Sequence, residues 1–141
     1  MITGTSKHEV AEHISRYDAA KTEADGATVF LIGVLDLDLK VHLQDSAMAF
    51  SSEGIIVNRS NHKLAEAMRF GVRGWKNYKD PKGNDIPFKT ITRIVNGKPY
   101  DYMDQETANA VSDMKIVQEL GNKVLVVNEM TAADTQGFTT P

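Results

Sequence analysis

Hydrophobic residues near the start of the chain recur at spacings of four and three, which is typical of a helix face. The residues with this spacing are Val10, Ile14 and Tyr17. Ser6 followed by Glu9 has the pattern of a capping box, whose two side chains bond the first free backbone N–H groups of a helix. We therefore expect a first helix over 6–17 and a polar loop over 18–26.

The strongest strand pattern follows, because the apolar run over 28–35 is short and unbroken by charge. Such a run predicts a strand buried on both faces. The next segment fits two structures, since its apolar residues alternate as in a strand and also recur at helical spacing. The residues at helical spacing are Leu39, Leu43, Ala47 and Phe50. We favour a helix, because Asp36 is a good N-cap and Ala47-Met48-Ala49 are strong helix formers.

The middle of the chain predicts a second helix between two less regular segments. Residues 55–57 form an apolar triplet that is either a strand or a packed loop. The helix face is marked by Leu64, Met68 and Val72. Gly71 and Gly74 are expected to end this helix, and residues 80–83 (Asp-Pro-Lys-Gly) have the chemistry of a tight turn.

The clearest local pattern is a β-hairpin over 90–103. Asn96-Gly97 joins two β-prone runs, and both residues tolerate the positive φ angles of a two-residue turn. Pro99 lacks an N–H group, which predicts that its strand lies at an edge. Asp104 is expected to cap a helix that continues to about Val127. Its apolar face would be Val111, Met114, Val117, Leu120 and Val124, and its Gly121 suggests a close approach of another backbone.

Together these elements predict a single α+β domain over 1–130, in which three or four helices pack on a small, mainly antiparallel sheet. Residues 131–141 are Thr-rich without apolar periodicity, which indicates a tail that is free or docked on a partner. The chain has 141 residues and no cysteine, so thiol catalysis, thiolate metal sites and disulfides are excluded. No apolar run approaches the roughly 20 residues of a membrane span.

Charge is distributed unevenly along the chain. The net charge is −4 over 1–68, +6 over 69–98 and −5 over 99–141, which together give −3. A basic centre between acidic ends suits self-association or docking on an acidic partner, although a solvated lysine-rich loop gives the same pattern. The small total charge makes nucleic acid an unlikely target.

No grouping of residues predicts catalysis, a cofactor or a metal. His8 and His13 are five residues apart and face different ways on a helix, and His42 and His62 have no neighbouring motif. The 71–74 segment matches the GxxG loop of KH domains, but the expected second helix does not follow. Aromatic and basic residues are instead candidates for contacts with a protein partner. These candidates are Gly71, Arg73, Trp75, Tyr78, Tyr100 and Tyr102.

One segment of the sequence resembles a segment found in small accessory proteins of tailed bacteriophages. It begins with Phe-Gly-Val-Arg-Gly-Trp-Lys-Asn-Tyr-Lys-Asp over 70–80 and ends with an Ile-Pro-Phe strand over 86–88, after an acidic–glycine turn. A Thr-Val-Phe strand near residue 30 and the Asn-Glu-Met-Thr-Ala-Ala-Asp end of the last helix are similar too. The closing residues 137–141 depart from the usual acidic tail.

The resemblance implies a non-enzymatic virion structural protein, made in the host cytoplasm and carried in the capsid, neck or tail. Its partners would be other phage structural proteins, in a homo-oligomer or in multiple copies. Two alternatives stay open: a transient tail-assembly chaperone, and a nucleic-acid-binding regulator that uses the basic 69–98 segment.

Overall fold

A computed structural model describes residues 10–46, 48–50, 56–58 and 60–130. Within these residues the chain forms seven strands and four α-helices. They are β1 (Val10–Ile14), β2 (Val29–Gly33), α1 (Leu37–Ser46), β3 (Met48–Phe50), β4 (Ile56–Asn58), α2 (Ser60–Gly71), β5 (Val72–Lys76), β6 (Thr90–Val95), β7 (Lys98–Met103), α3 (Gln105–Ala110) and α4 (Met114–Val127). The mixture of helices and small antiparallel sheets confirms the predicted α+β class.

The strands form three separate antiparallel sheets. One sheet has the order β1-β2-β5, while β3-β4 and β6-β7 each form a two-stranded sheet. β2 is the central strand and four of its five residues are buried, as the apolar run predicted. The hairpin over 90–103 is therefore confirmed, but it forms its own sheet and does not join the central one.

The predicted first helix is wrong over its described part, where residues 10–14 form strand β1 and residues 15–17 are not helical. Val10 pairs with Gly33 and Ile14 pairs with Val29, so β1 satisfies the backbone groups along one side of β2. A buried strand cannot leave those groups unpaired, and this long-range requirement outweighs the helical spacing of a few apolar residues. The capping box at Ser6 and Glu9 lies outside the described residues.

Helix α1 is confirmed, with Leu39 and Leu43 buried, but it ends at Ser46. Phe50, expected on the same helix, belongs to β3, and Ala47 lies outside the described residues. Of the two alternatives for residues 55–57, the structure takes the strand at 56 and 57, in β4, and residue 55 lies outside the described residues.

Helix α2 ends at Gly71, as predicted, yet the chain continues directly as strand β5. Val72 was expected on the helix and Gly74 at its end, and both predictions are wrong because both residues belong to β5. β5 pairs with the other side of β2, so Val72 faces Ile32 and Trp75 faces Phe30. The need of β2 for a second neighbour again decides the structure.

The final helical region is divided in two. Asp104 caps α3 as predicted, through a bond that its side chain accepts from the Thr107 N–H. The helix stops at Val111, and Asp113 then caps α4 by accepting from the Lys115 N–H at 3.0 Å. The predicted continuous helix is wrong because a second Asp cap is present where the apolar spacing alone permits continuation.

Helix α4 closes the core over α2 and β2. Its C-cap Asn128 is buried, donates to the Gly33 carbonyl at 3.1 Å and accepts from the Leu35 N–H at 2.7 Å. This side chain fixes the end of α4 to the end of β2. Residues 131–141, predicted as a tail, lie outside the described residues.

Candidate functional site

A groove of about 610 Å³ lies beside the β6-β7 hairpin, and we call it the Arg73 groove. It lies between the hairpin, the start of β5 and the segment that joins β2 to α1. Its lining residues are Val34, Asp36, Leu39, Arg73, Thr92, Lys98, Pro99, Tyr100 and Asp101. Two of the six predicted contact residues, Arg73 and Tyr100, therefore line one cavity.

Arg73 reaches this groove because strand β5 bulges at that position. Ile32 pairs with Val72, and the residue before it, Leu31, pairs with Gly74. Arg73 lies between Val72 and Gly74 and has no pairing partner on β2. A bulge of this kind changes the direction of a side chain and is common beside functional sites.

The side chain of Arg73 lies flat over Gly33, and its Nη2 donates to the Val34 carbonyl at 3.0 Å. A Cβ atom at position 33 would overlap the Arg73 side chain, so the missing side chain of Gly33 makes room for the guanidinium group. Burial lowers the pKa of Arg73, while the carboxylates of Asp101 and Asp36 act in the opposite direction.

Tyr100 forms another wall of the groove. Its hydroxyl donates to Asp36 Oδ2 at 2.7 Å, and Asp36 Oδ1 accepts from the Leu39 N–H at 3.0 Å at the start of α1. Burial raises the pKa of Tyr100 to about 12, and the bond to Asp36 adds to that shift. The phenol group is therefore a hydrogen-bond donor held in place by the helix cap.

Lys98 fixes the turn of the hairpin to α1. Its Nζ lies 2.5 Å from Asp38 Oδ2, and Asn96 also donates to Asp38 at 3.1 Å. These bonds lower the pKa of Asp38, and the bond with Asp38 raises the pKa of Lys98. The cation and carboxylate satisfy each other, so this part of the groove wall is structural.

Two opposite charges in the groove have no such close partner. Among the described residues, neither Arg73 nor Asp101 forms an ion pair, in contrast to Lys98. Arg73 uses one of its five N–H donors on Val34, which leaves a planar donor fork for a ligand. The groove thus offers donors at Arg73 and acceptors at Asp101, a combination suited to the polar groups of a peptide.

Trp75 and Tyr78, also predicted contact residues, belong to an aromatic cluster with Phe30 and Phe88. Edge-to-face contacts join the rings at centroid distances of 4.9 to 6.1 Å. Trp75 Nε1 donates to the Ile86 carbonyl at 2.8 Å, and Tyr78 Oη donates to the Ala110 carbonyl at 3.2 Å. These internal bonds satisfy the polar side-chain atoms of Trp75 and Tyr78. A role of these two residues in partner binding stays a prediction.

The loop between β5 and β6 is held by the same cluster. The predicted turn over 80–83 is confirmed, since the Gly83 N–H donates to the Asp80 carbonyl at 2.9 Å. The Asp80 side chain also accepts from the N–H groups of Lys82 and Asn84. Residues 86–88 were expected as a strand and are not one, because Trp75 holds them as a packed loop through the Ile86 carbonyl and the Phe88 ring. Most of the phage-like segment is thus stabilised by contacts within this chain.

The two remaining predicted contact residues lie inside the protein. Gly71 is buried, and a Cβ atom there would overlap Val124 of α4. Tyr102 is 6% exposed and donates its hydroxyl to Glu66. Neither presents a surface to a partner in this fold, so we correct the predicted contact set to the four residues that are at least partly exposed.

Glu66 is the centre of a buried polar cluster that sequence patterns did not reveal. It accepts from Tyr102 and, at 2.8 and 3.1 Å, from Arg93 Nη1. Burial would raise the pKa of Glu66, but the bonds from Tyr102 and Arg93 outweigh it and lower the pKa. Burial and the same bond raise the pKa of Tyr102 to about 12. The cluster locks the hairpin onto α2.

The histidines also have structural neighbours that their spacing hid. His42 Nε2 and His62 Nε2 lie 3.7 and 4.0 Å from Glu66 Oε1, and His13 Nε2 lies 3.4 Å from Glu119 Oε1. No group of three or more metal-ligating side chains with suitable geometry occurs in the described part of the chain. The Glu66 cluster joins side chains from α1, α2 and the hairpin, and only the fold brings these elements together.

The basic middle of the chain is largely neutralised by the acidic flanks. Ion pairs join Lys76 to Glu12 and Glu23, Lys79 to Asp85, Lys89 to Glu106, Arg93 to Glu66 and Lys98 to Asp38. The uneven charge of the sequence therefore serves the fold itself. Arg73 differs from Lys98, which lines the same groove, because it has no ion-pair partner among the described residues.

No protein-family model matches this chain, and no curated protein or solved structure is significantly similar to it. Within the described ranges, no helix is long and apolar enough to cross a membrane.

Proposed function

We propose that this chain is a non-enzymatic structural component of a tailed-phage particle, in the capsid, neck or tail, and that it binds another phage structural protein. The observation that supports this proposal best is the Arg73 groove. Its guanidinium fork and the Asp101 carboxylate have no ion-pair partner among the described residues, whereas Lys98 in the same groove is paired with Asp38. Charged groups of this kind give orientation and specificity at a protein interface.

The construction of the groove supports a binding role over a purely structural one. The bulge at Arg73 interrupts the ladder between β2 and β5, and a Cβ atom at Gly33 would displace the Arg73 side chain from its present position. A regular strand would pair better with β2, so the bulge sacrifices ladder bonds to direct one arginine into a cavity. The Tyr100–Asp36 and Lys98–Asp38 bonds hold the opposite wall in place.

A role in nucleic-acid binding is less well supported. Affinity for a nucleic-acid backbone comes from several lysines and arginines that are free to contact phosphates. Five of the eight basic residues in 69–98 are ion-paired within the fold. We expect a filter-binding titration with single-stranded DNA to show no strong, salt-sensitive binding, and a steep salt dependence would favour this alternative.

Mass spectrometry of purified, salt-washed particles separates the proposal from the transient chaperone. The particles come from a phage whose genome carries this gene, and the wash removes loosely attached proteins. We expect the chain to be present in a fixed number of copies per particle. Its absence from mature particles, together with its presence in assembly intermediates, would instead assign it to the chaperone class and overturn the proposal.

A further inference from the structure

The two outer edges of the β6-β7 hairpin differ in how easily another strand can join them. In a hairpin with a two-residue turn, the flanking residues Val95 and Lys98 exchange hydrogen bonds, and this pattern then recurs at every second pair. The backbone polar groups of the other pairs point outward. Those residues are Thr90, Thr92 and Ile94 on β6, and Pro99, Asp101 and Met103 on β7.

The outer edge of β7 carries features that block pairing. Pro99 has no N–H group to donate, and Asp101 places a charge at the next outward position. Natural proteins protect sheet edges with proline and charged residues in this way. The predicted contact strand with Pro99 and Tyr100 is therefore the less suitable of the two edges.

The outer edge of β6 carries no such feature. Its outward residues include neither proline nor a charged side chain, and its ladder with β7 has no bulge. Ile91 is 50% exposed and Ile94 is 63% exposed, although both are apolar and β-branched. Among the described residues, β6 pairs with β7 alone. An exposed, uncharged edge without proline or a bulge is a template for strand addition.

We infer that β6 pairs antiparallel with β6 of a second copy of this chain, about a two-fold axis at Thr92. The two hairpins would then form one continuous four-stranded sheet. This inference goes beyond the proposed function, because it concerns self-association through the β6 edge, which shares only Thr92 with the lining of the Arg73 groove. A two-fold interface uses the same patch on both copies.

The register about Thr92 places compatible residues opposite each other. Thr92 faces its own counterpart, Thr90 faces Ile94 of the second copy, and Ile91 faces Arg93 of the second copy. No pair brings like charges together, and the Arg93 guanidinium is already held by Glu66. Cross-strand pairs of threonine and β-branched residues stabilise antiparallel sheets.

Charges farther from the axis do not oppose this pairing. The nearest acidic residue on the same face is Asp101, the hairpin partner of Thr92. Three strand spacings would separate Asp101 from its counterpart, which is about 14 Å. This distance exceeds the screening length of about 8 Å at physiological salt. Thr92 at the axis is uncharged, and the charge of Arg93 beside it is paired with Glu66, which favours a second copy over a strongly charged partner strand.

Disulfide trapping tests the inference directly, because the natural chain has no cysteine. Cα atoms of a hydrogen-bonded antiparallel pair lie about 5.5 Å apart, within the range that a disulfide spans. Under mild oxidation, we expect Thr92→Cys to form a covalent dimer at least tenfold faster than Lys82→Cys, a control in the exposed 80–83 turn. Equal rates for the two variants would overturn the inference.

Light scattering supplies a second readout that does not depend on a new thiol. We expect wild-type protein at high concentration to have twice the 15.6 kDa mass of one chain. Ile94→Lys should restore the single-chain mass with an unchanged circular dichroism spectrum, since this exposed side chain adds a charge at the edge. A wild-type monomer, or an Ile94→Lys dimer, would contradict the inference. Partner binding at the Arg73 groove is measured separately, by the incorporation of this chain into particles.

Discussion

Gly121 of α4 lies against the backbone of Leu64 in α2, so closely that a side chain would not fit between them. A Cβ atom at position 121 would stand 2.9 Å from Leu64 Cα and overlap the Leu64 carbonyl oxygen. Because backbone atoms of a helix cannot move aside singly, only glycine permits this approach. The contact brings α4 close enough to α2 for Val117, Leu120 and Val124 to be buried between them.

Gly121→Ala should therefore destabilise the protein, although alanine is the better helix former. We expect the free energy of unfolding to fall by about 1–3 kcal/mol, the usual cost of overpacking a core. Chemical denaturation measures this change. Gly74→Ala is the matched control, because its Cβ atom would meet Leu31 Cδ1 at an ordinary 3.6 Å. Equal stability of wild type and Gly121→Ala would contradict the close contact.

Asn128 is expected to stabilise the junction between α4 and β2. Asn128→Ala leaves the Leu35 N–H and the Gly33 carbonyl without their partner in a buried region. Unsatisfied buried groups cost about 1–3 kcal/mol each, so the free energy of unfolding should drop by at least about 2 kcal/mol.

The exposed Asn122 on the same helix provides the comparison for that prediction. Asn122→Ala should change stability by less than about 1 kcal/mol, because alanine is a better helix former and no described tertiary bond is lost. If both alanine variants have the same unfolding midpoint, the Asn128 bonds do not contribute as stated.

Stability should fall in alkaline solution because of Tyr100 and Tyr102. Both have a pKa of about 12 in the fold, above the value of about 10 of an unfolded tyrosine. A raised pKa stabilises the fold fully below pH 10, and this contribution is lost as the pH rises from about 10 to about 12. Tyr102→Phe should thus show a shallower decline over that range.

Urea denaturation at several pH values between 8 and 12 measures this slope. Tyr100→Phe removes the other phenol, and the double variant should have the smallest slope of the three. Tyr102→Phe should also be less stable at pH 7, since it loses the bond to the buried Glu66 carboxylate. Identical slopes for wild type and the double variant would show that neither phenol is coupled to folding.

Local chemistry was sufficient to predict some parts of the fold. Asn96-Gly97 predicts the hairpin because its two positive φ angles, 51° and 78°, are set by those two residues alone. The buried strand β2 follows from an uninterrupted apolar run, and Asp104 marks a helix start through a bond to its near neighbour Thr107. Each of these features depends on contacts within a few residues.

Features that depend on distant partners were not predictable in the same way. β1 and β5 are strands because β2 needs a neighbour on each side, a requirement that no local pattern around Val10 or Val72 contains. The Arg73 groove joins residues from positions 34–39, 73 and 92–101, and only the fold brings them together. The aromatic contact candidates were named from the sequence. Which of them are buried and which are exposed could not be predicted from it.

The proposed function depends on Arg73 binding another structural protein. The copy number of variant protein in salt-washed particles tests this binding most directly. Arg73→Gln and Lys82→Gln each remove one positive charge, from the groove and from the exposed 80–83 turn respectively. After equal folding is confirmed by thermal unfolding, we expect Lys82→Gln to be incorporated at the wild-type level and Arg73→Gln to be reduced at least tenfold. Incorporation of Arg73→Gln at the wild-type level would contradict the proposed role of the Arg73 groove.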